Sequence, residues 1–155
     1  MDWAFLGQFG LALAFGLAAL GSALGIAAAG RAAAGAWAKE AKAGMALRFN
    51  YIIFVGAPIS QTFYAMIVML TMAGKLAHSA SSAGLMLSIG LATGISEMVS
   101  AWGQGLIGAA ACRCLSEGEG KGLAFLLIAI GIIETVGIFT MVFMLMLAGS
   151  IAGQR

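Results

Sequence analysis

Glu134 is the acidic side chain at the middle of an otherwise uninterrupted apolar stretch, Leu123 to Ala148. A stretch of that length can cross a bilayer, which takes about 20 residues. Charged side chains at such a depth cost roughly 2.5–3.5 kcal/mol on insertion scales, so they are rare and by default functional. A carboxylate kept there needs a partner, and the obvious one is a cation, Na⁺ or H⁺.

Other apolar runs supply polar groups at a similar depth. Ala57, Ser60, Gln61 and Tyr64 stand three and four residues apart, so they share one helix face. Pro58 lies among them; its missing N–H frees the Phe54 carbonyl and predicts a kink, which can turn carbonyls toward a ligand. At about 1.5 Å per residue, Gln61 lies roughly 18 Å from Phe49, Glu134 roughly 17 Å from Leu123 and Gln104 roughly 14 Å from Arg113. Three helices thus bring polar side chains to one level. Glu134 offers the charge, and Gln61, Gln104 and Ser60 offer neutral oxygens. Tyr64 can donate a hydrogen bond to the carboxylate and hold its rotamer. A carboxylic acid with one or two hydrogen bonds is enough for a proton, so this many oxygens favours a hard alkali cation. Each polar residue alone would serve equally well as interhelical hydrogen-bonding glue. Their coincidence in depth beside Glu134 favours the ion site.

The composition says what must position these groups. Of the 155 residues, 62% are hydrophobic and 9% charged, and the mean hydropathy is +1.03. This predicts an all-α integral membrane protein. Apolar runs at about Trp3–Trp37, Phe49–Ala73, Ala83–Cys112 and Leu123–Ile151 predict four transmembrane helices. No alternating pattern of barrel strands interrupts them. A net charge of +2 carries no nucleic-acid footprint. Met1 and Asp2 lack the basic start of a cleaved signal, so the first span is expected to be retained. Arg31, Lys39, Lys42, Arg48, Arg113 and Lys121 lie in or beside the loops joining spans 1–2 and 3–4. The positive-inside rule puts those loops in the cytoplasm and both termini outside. Spans 1 and 3 exceed what a bilayer needs and must tilt or project.

The chain reads as one membrane domain, 1–155, with internal repeats at about 3–74 and 83–151. Residues 22–30 align with 100–108, and Gln61-Thr62 aligns with Glu134-Thr135. Each half holds two spans, so the copies share one orientation, and their pseudo-symmetry axis runs along the membrane normal. Such a relation extends into a ring of like hairpins. Ala23, Ala27, Gly30 and Ala34, repeated as Ala101, Gly105, Gly108 and Cys112, give spans 1 and 3 a small-residue stripe that lets backbones approach. The expected ring has spans 1 and 3 inside and the bulkier spans 2 and 4 outside. Since Gln61 replaces the carboxylate in the first half, one ion per chain is expected.

Other residues point to duller roles. Cys112 and Cys114 lack a second ligand pair, with His78 in a distant loop, so they read as reduced thiols rather than a zinc site. Glu97, seven residues before Gln104, is expected to be membrane-embedded with a structural or water-exposed role instead of direct ligation. Trp3 and Trp37 read as interface anchors and Trp102 as packing.

The chain resembles the duplicated four-helix rotor-ring proteolipid of V-type ATPases, over nearly its whole length. The residues that carry this are Pro58 to Tyr64, Trp102-Gly103-Gln104-Gly105 and Ile133-Glu134-Thr135. It is similar in particular to the bacterial sodium-pumping branch. The resemblance implies an Na⁺ site built from Glu134, Gln61, Ser60, Gln104 and the carbonyl of Ala57, with Tyr64 supporting the glutamate. Ser60 stands where threonine is expected and Ala57 where a larger apolar residue is; neither change removes an oxygen. The resemblance also implies a homo-oligomeric ring in a bacterial cell membrane. Its partners would be the stator membrane subunit and central-stalk subunits of the ATPase, and it would not be catalytic alone. Proton-pumping relatives typically lack the glutamines, which favours sodium. The alternatives are a proton-carrying ring, a four-helix cation or drug exporter, and a structural membrane protein.

Overall fold

The computed structural model describes residues 3–151 and contains helices joined by short connections. They are α1 (Ala4–Lys42), α2 (Tyr51–Gly56), α3 (Ile59–Ala73), α4 (Ala83–Glu117) and α5 (Leu123–Ser150), with a 3₁₀ turn at Leu76–His78. Among the described residues there is no strand. The candidate spans are Ala4–Lys42, Tyr51–Ala73, Ala83–Glu117 and Leu123–Ser150, each long and apolar enough to cross a membrane. The expected four-helix, all-α membrane architecture is therefore present.

α1 and α4 run further than their apolar patterns indicate, carrying Lys39, Glu40 and Lys42 on helix instead of loop. At 39 residues and about 1.5 Å per residue, α1 is roughly 58 Å long, well beyond the hydrocarbon core. Its end is set by Gly44, whose φ of 68° follows the C-cap Ala43. The Gly44 N–H bonds the Ala41 carbonyl and the Met45 N–H bonds the Glu40 carbonyl, a Schellman closure that satisfies the last turn. α4 closes the same way: Glu119 takes the left-handed position (φ 54°) and the Gly120 N–H bonds the Leu115 carbonyl. The sequence repeat thus extends to how the two long helices stop.

The second span is two helices. Pro58 separates α2 from α3, and a tight turn carries the Ser60 N–H to the Ala57 carbonyl at 3.2 Å. The Phe54 carbonyl, which loses its donor to proline, lies against Gly108 of α4. The Pro58 carbonyl accepts from Ser22 Oγ of α1 at 2.6 Å, and Thr62 Oγ1 bonds Ser22 Oγ at 2.7 Å. Ser22 of α1, itself held by Thr62 of α3, thus stabilises the broken backbone, as an interrupted membrane helix requires.

α1 and α4 form the most extensive contact in the chain, with α2, α3 and α5 packed around them. Their backbones touch: a β-carbon on Gly25 would collide with the Ala101 carbonyl, and one on Gly105 with Gly25 itself. The expected small-residue stripe is buried on α4, where Ala101, Gly105, Gly108 and Cys112 face inward. On α1 the named stripe is not the face packed against α4 within the chain. Ala23, Ala27 and Ala34 are exposed or only half-buried, and the inward stripe includes Gly21, Gly25, Ala29, Ala33 and Ala36. Both faces of α1 are small, so side-chain size alone could not tell them apart. α5 is the least enclosed helix, with only Ile130, Gly137 and Ala148 buried.

The connections at residues 43–50 and 118–122 meet at one end, where Gly120 approaches the Arg48 guanidinium. Glu40 is fully buried there. It accepts from Arg48 Nη1 and Tyr51 Oη, each at 2.5 Å, and from the Arg48 N–H at 3.0 Å. Trp37 Nε1 donates to the Arg48 carbonyl at 2.8 Å, and its ring packs edge-on against Tyr51. Arg48 is held above its ordinary pKa, chiefly by its hydrogen bond with Tyr51 and then by Glu40. Trp37 thus clamps the loop instead of serving merely as an interface anchor. Trp102 also departs from expectation: it is half exposed and does not pack in the core of a single chain. Cys112 is buried, Cys114 exposed and both are free thiols.

Candidate functional site

Glu134 lies half-buried on α5, and Tyr64 of α3 reaches across to donate to its Oε1 at 2.8 Å. The sequence expectation that Tyr64 holds this carboxylate matches that contact. Gln61 is one turn before Tyr64 on α3, which places the two on one face. Ser60 Oγ donates to the Ala57 carbonyl at 2.9 Å, so these two candidate oxygens stand together at the start of α3. The Ala57 carbonyl also receives the Ser60 N–H, a consequence of the turn that Pro58 forces.

Gln104 is fully buried on α4. The residue before it, Gly103, lies against Ile133, the residue before Glu134. Ser100 Oγ adds a 3.0 Å bond to the Ile133 carbonyl, and Ser96 pairs with Thr140 at 2.6 Å. These contacts fix α4 against α5 on both sides of the Glu134 level. α3 and α5 therefore bring Tyr64 onto Glu134 and Gln61 onto Gly137 one turn further on, while Gln104 lies on the adjoining α4.

Two of the amides do not bond Glu134. Among the described residues, both polar side-chain atoms of Gln61 and both of Gln104 are buried without a hydrogen-bond partner. Gln61 points its Oε1 over Gly137 of α5, one turn beyond Glu134. Buried polar groups are nearly always satisfied, and exceptions of this kind call for a ligand, ion or water. Unsatisfied amide oxygens beside a carboxylate are what an oxygen-coordinated cation would need. Among the described residues no group of three His, Cys, Asp or Glu side chains could hold a metal ion.

Of the two roles expected for Glu97, structural or water-exposed, the second does not hold within the chain. Glu97 is completely buried, on the face of α4 turned toward Gln61 and Gly137. Its seven-residue spacing to Gln104 puts the two on one face of α4. That spacing is the available signal in the sequence, but which way the face points depends on tertiary packing.

A comparison with curated protein sequences finds no significant match. The sequence profile of the family described as the ATP synthase C subunit matches twice, at residues 9–72 and 87–147. The two matches coincide with the two hairpins and leave out the connection between them. With most of its length so covered, the chain is a duplicated member of the ATP synthase C-subunit family, a non-catalytic component of the membrane sector.

Proposed function

We propose that this chain is the ion-carrying unit of the rotor ring of a rotary V-type ATPase, and that the ion is Na⁺. Copies assemble side by side in the bacterial cell membrane, with α1 and α4 toward the ring interior and α3 and α5 outside. Each Glu134 takes an ion from one half-channel of the stator membrane subunit and releases it into another, where a stator arginine helps displace it. The central-stalk subunits turn the ring, and the loops at residues 43–50 and 118–122 face the cytoplasm.

The observation that carries this reading is the Tyr64–Glu134 bond on the least enclosed helix, with the amides of Gln61 and Gln104 on α3 and α4 buried and, among the described residues, without a hydrogen-bond partner. Glu134 supplies the charge, and Ser60, Gln61, Gln104 and the Ala57 carbonyl supply oxygens. The half-buried position of Glu134 leaves it reachable from the outer face, as a carrier that exchanges ions with a stator requires. Family membership removes the support for the exporter and for a purely structural protein. The V-type branch is supported by the resemblance at residues 58–64, 102–105 and 133–135.

The test is carbodiimide modification of Glu134, which needs the protonated acid. Sodium should slow it at fixed pH, with potassium as the ionic-strength control. A proton-carrying ring is the second reading. It is favoured by the hydrogen bonding of Glu134, which among the described residues bonds Tyr64 and neither amide. Sodium protection no greater than that of potassium would establish it.

A further inference from the structure

Glu97 is a buried carboxylate that the proposed carrier site does not use. It is fully enclosed within a single chain, so no neighbouring copy is needed to bury it. Among the described residues, neither of its oxygens has a hydrogen-bond partner. Gln61 Oε1 and Glu97 Oε2 converge on the point that a β-carbon at residue 137 would occupy. Glycine at that position is what makes room for them. Thr93, one turn before Glu97 on α4, is also fully buried with its hydroxyl unpaired.

An uncompensated buried charge costs several kcal/mol. Among the described residues the ion pair is Arg48–Glu40, at the loop end of the bundle, so no cationic side chain neutralises Glu97. The Gln61 amide oxygen that converges with this carboxylate and the unpaired Thr93 hydroxyl one turn away are oxygen ligands of the kind a hard cation takes.

We propose that Glu97, Gln61 Oε1 and Thr93 Oγ1 hold a second sodium ion inside each chain. It lies about one helical turn along α5 beyond Glu134, on the side away from the loops at residues 43–50 and 118–122. The proposal rests on reading the chain as a sodium carrier and deepens it. Two carboxylates take two ions, and the loaded chain is electrically neutral through the bilayer. Gln61 stands between the two positions, which makes it a wall of both.

The test is equilibrium binding of radioactive sodium to the purified, detergent-solubilised oligomer, with potassium as competitor control. Two sodium ions per chain are expected, falling to one in Glu97→Gln and to one in Glu134→Gln. One sodium per chain in the wild type, unchanged in Glu97→Gln, overturns the proposal. So does one sodium per chain together with an infrared band of a protonated carboxylic acid that Glu97→Gln removes, because a proton then occupies the position. If Glu97→Gln fails to assemble, Glu134→Gln decides: one sodium per chain remaining in it supports the proposal, and none overturns it. Failure of the carrier reading is separable: sodium would not protect Glu134 from carbodiimide, while Glu134→Gln would still bind one sodium.

Discussion

Gln61 and Glu134 occupy corresponding positions in the two hairpins, yet the first is sealed and the second lies at the edge of the chain. Three residues further on, the correspondence pairs Tyr64 with Gly137. The two helices use these positions in opposite ways. Tyr64 extends from α3 to Glu134, whereas Gly137 presents bare backbone that lets Gln61 lie against α5. The helices differ in continuity too. α5 runs unbroken from Leu123 to Ser150, while Pro58 splits the first-half counterpart. The first half thus carries an amide where the second carries a carboxylate, and its helix is broken where the other is continuous. Carboxylates at both residue 61 and residue 134 would each need a counter-ion, whereas an amide at residue 61 carries no charge to neutralise.

The largest expected effect breaks this asymmetry directly. Glu134→Gln makes the two halves alike, with an amide in each. Transport by the reconstituted complex should be abolished and carbodiimide labelling at this position lost, with the oligomer intact. Retained transport would mean that the halves are not specialised in this way. Gln61→Leu in the other half should weaken sodium binding without removing the carrier charge, so labelling of Glu134 should persist.

The next effect tests the role of bare backbone at residue 137. A β-carbon there would overlap both Gln61 Oε1 and Glu97. Overpacking costs about 1–3 kcal/mol, and collision with two polar groups belongs at the upper end, so Gly137→Ala should weaken sodium binding by about a hundredfold. Gly131→Ala is the control on the same helix, since nothing lies within 4 Å of its β-carbon. Sodium titration of both variants checks the contrast, and equal affinities would deny Gly137 any special role.

The architecture is legible in the sequence because hydropathy, length and repeat all act along the chain. Four apolar runs, the break at Pro58 and the shared depth of Gln61, Gln104 and Glu134 follow from counting residues. What counting does not supply is rotation about each helix. α4 is apolar or small on nearly every side, so no amphipathic stripe marks which way Glu97 points. α1 offers small residues on two faces, and backbone contact at Gly25 and Gly105 decides between them. Glu40 is hidden in the sequence by its charged neighbours Lys39 and Lys42. Its burial depends on Arg48 and Tyr51 folding back across the loop. Gly44, two residues past Lys42, is a local signal for the true end of α1, because glycine readily takes the left-handed position that closes a helix.

The smallest expected effect concerns the bond that crosses from one half to the other. Tyr64→Phe keeps the ring and its packing on α3 and removes the 2.8 Å hydrogen bond to Glu134 Oε1. Hydrogen bonds to charged groups contribute about 1.5–3 kcal/mol, and partial exposure of this pair argues for the lower figure. Sodium affinity should therefore fall by about tenfold, since roughly 1.4 kcal/mol corresponds to a factor of ten. The carboxylate keeps its charge and its neutral oxygens, so transport should persist at raised sodium concentration. That outcome separates Tyr64 from Glu134: one half supplies the charge, and the other holds it in place. The measurement is the sodium concentration that half-protects Glu134 from carbodiimide, wild type against Tyr64→Phe. An unchanged midpoint would show that Tyr64 is packing alone, and that the cross-half bond does not position the carrier.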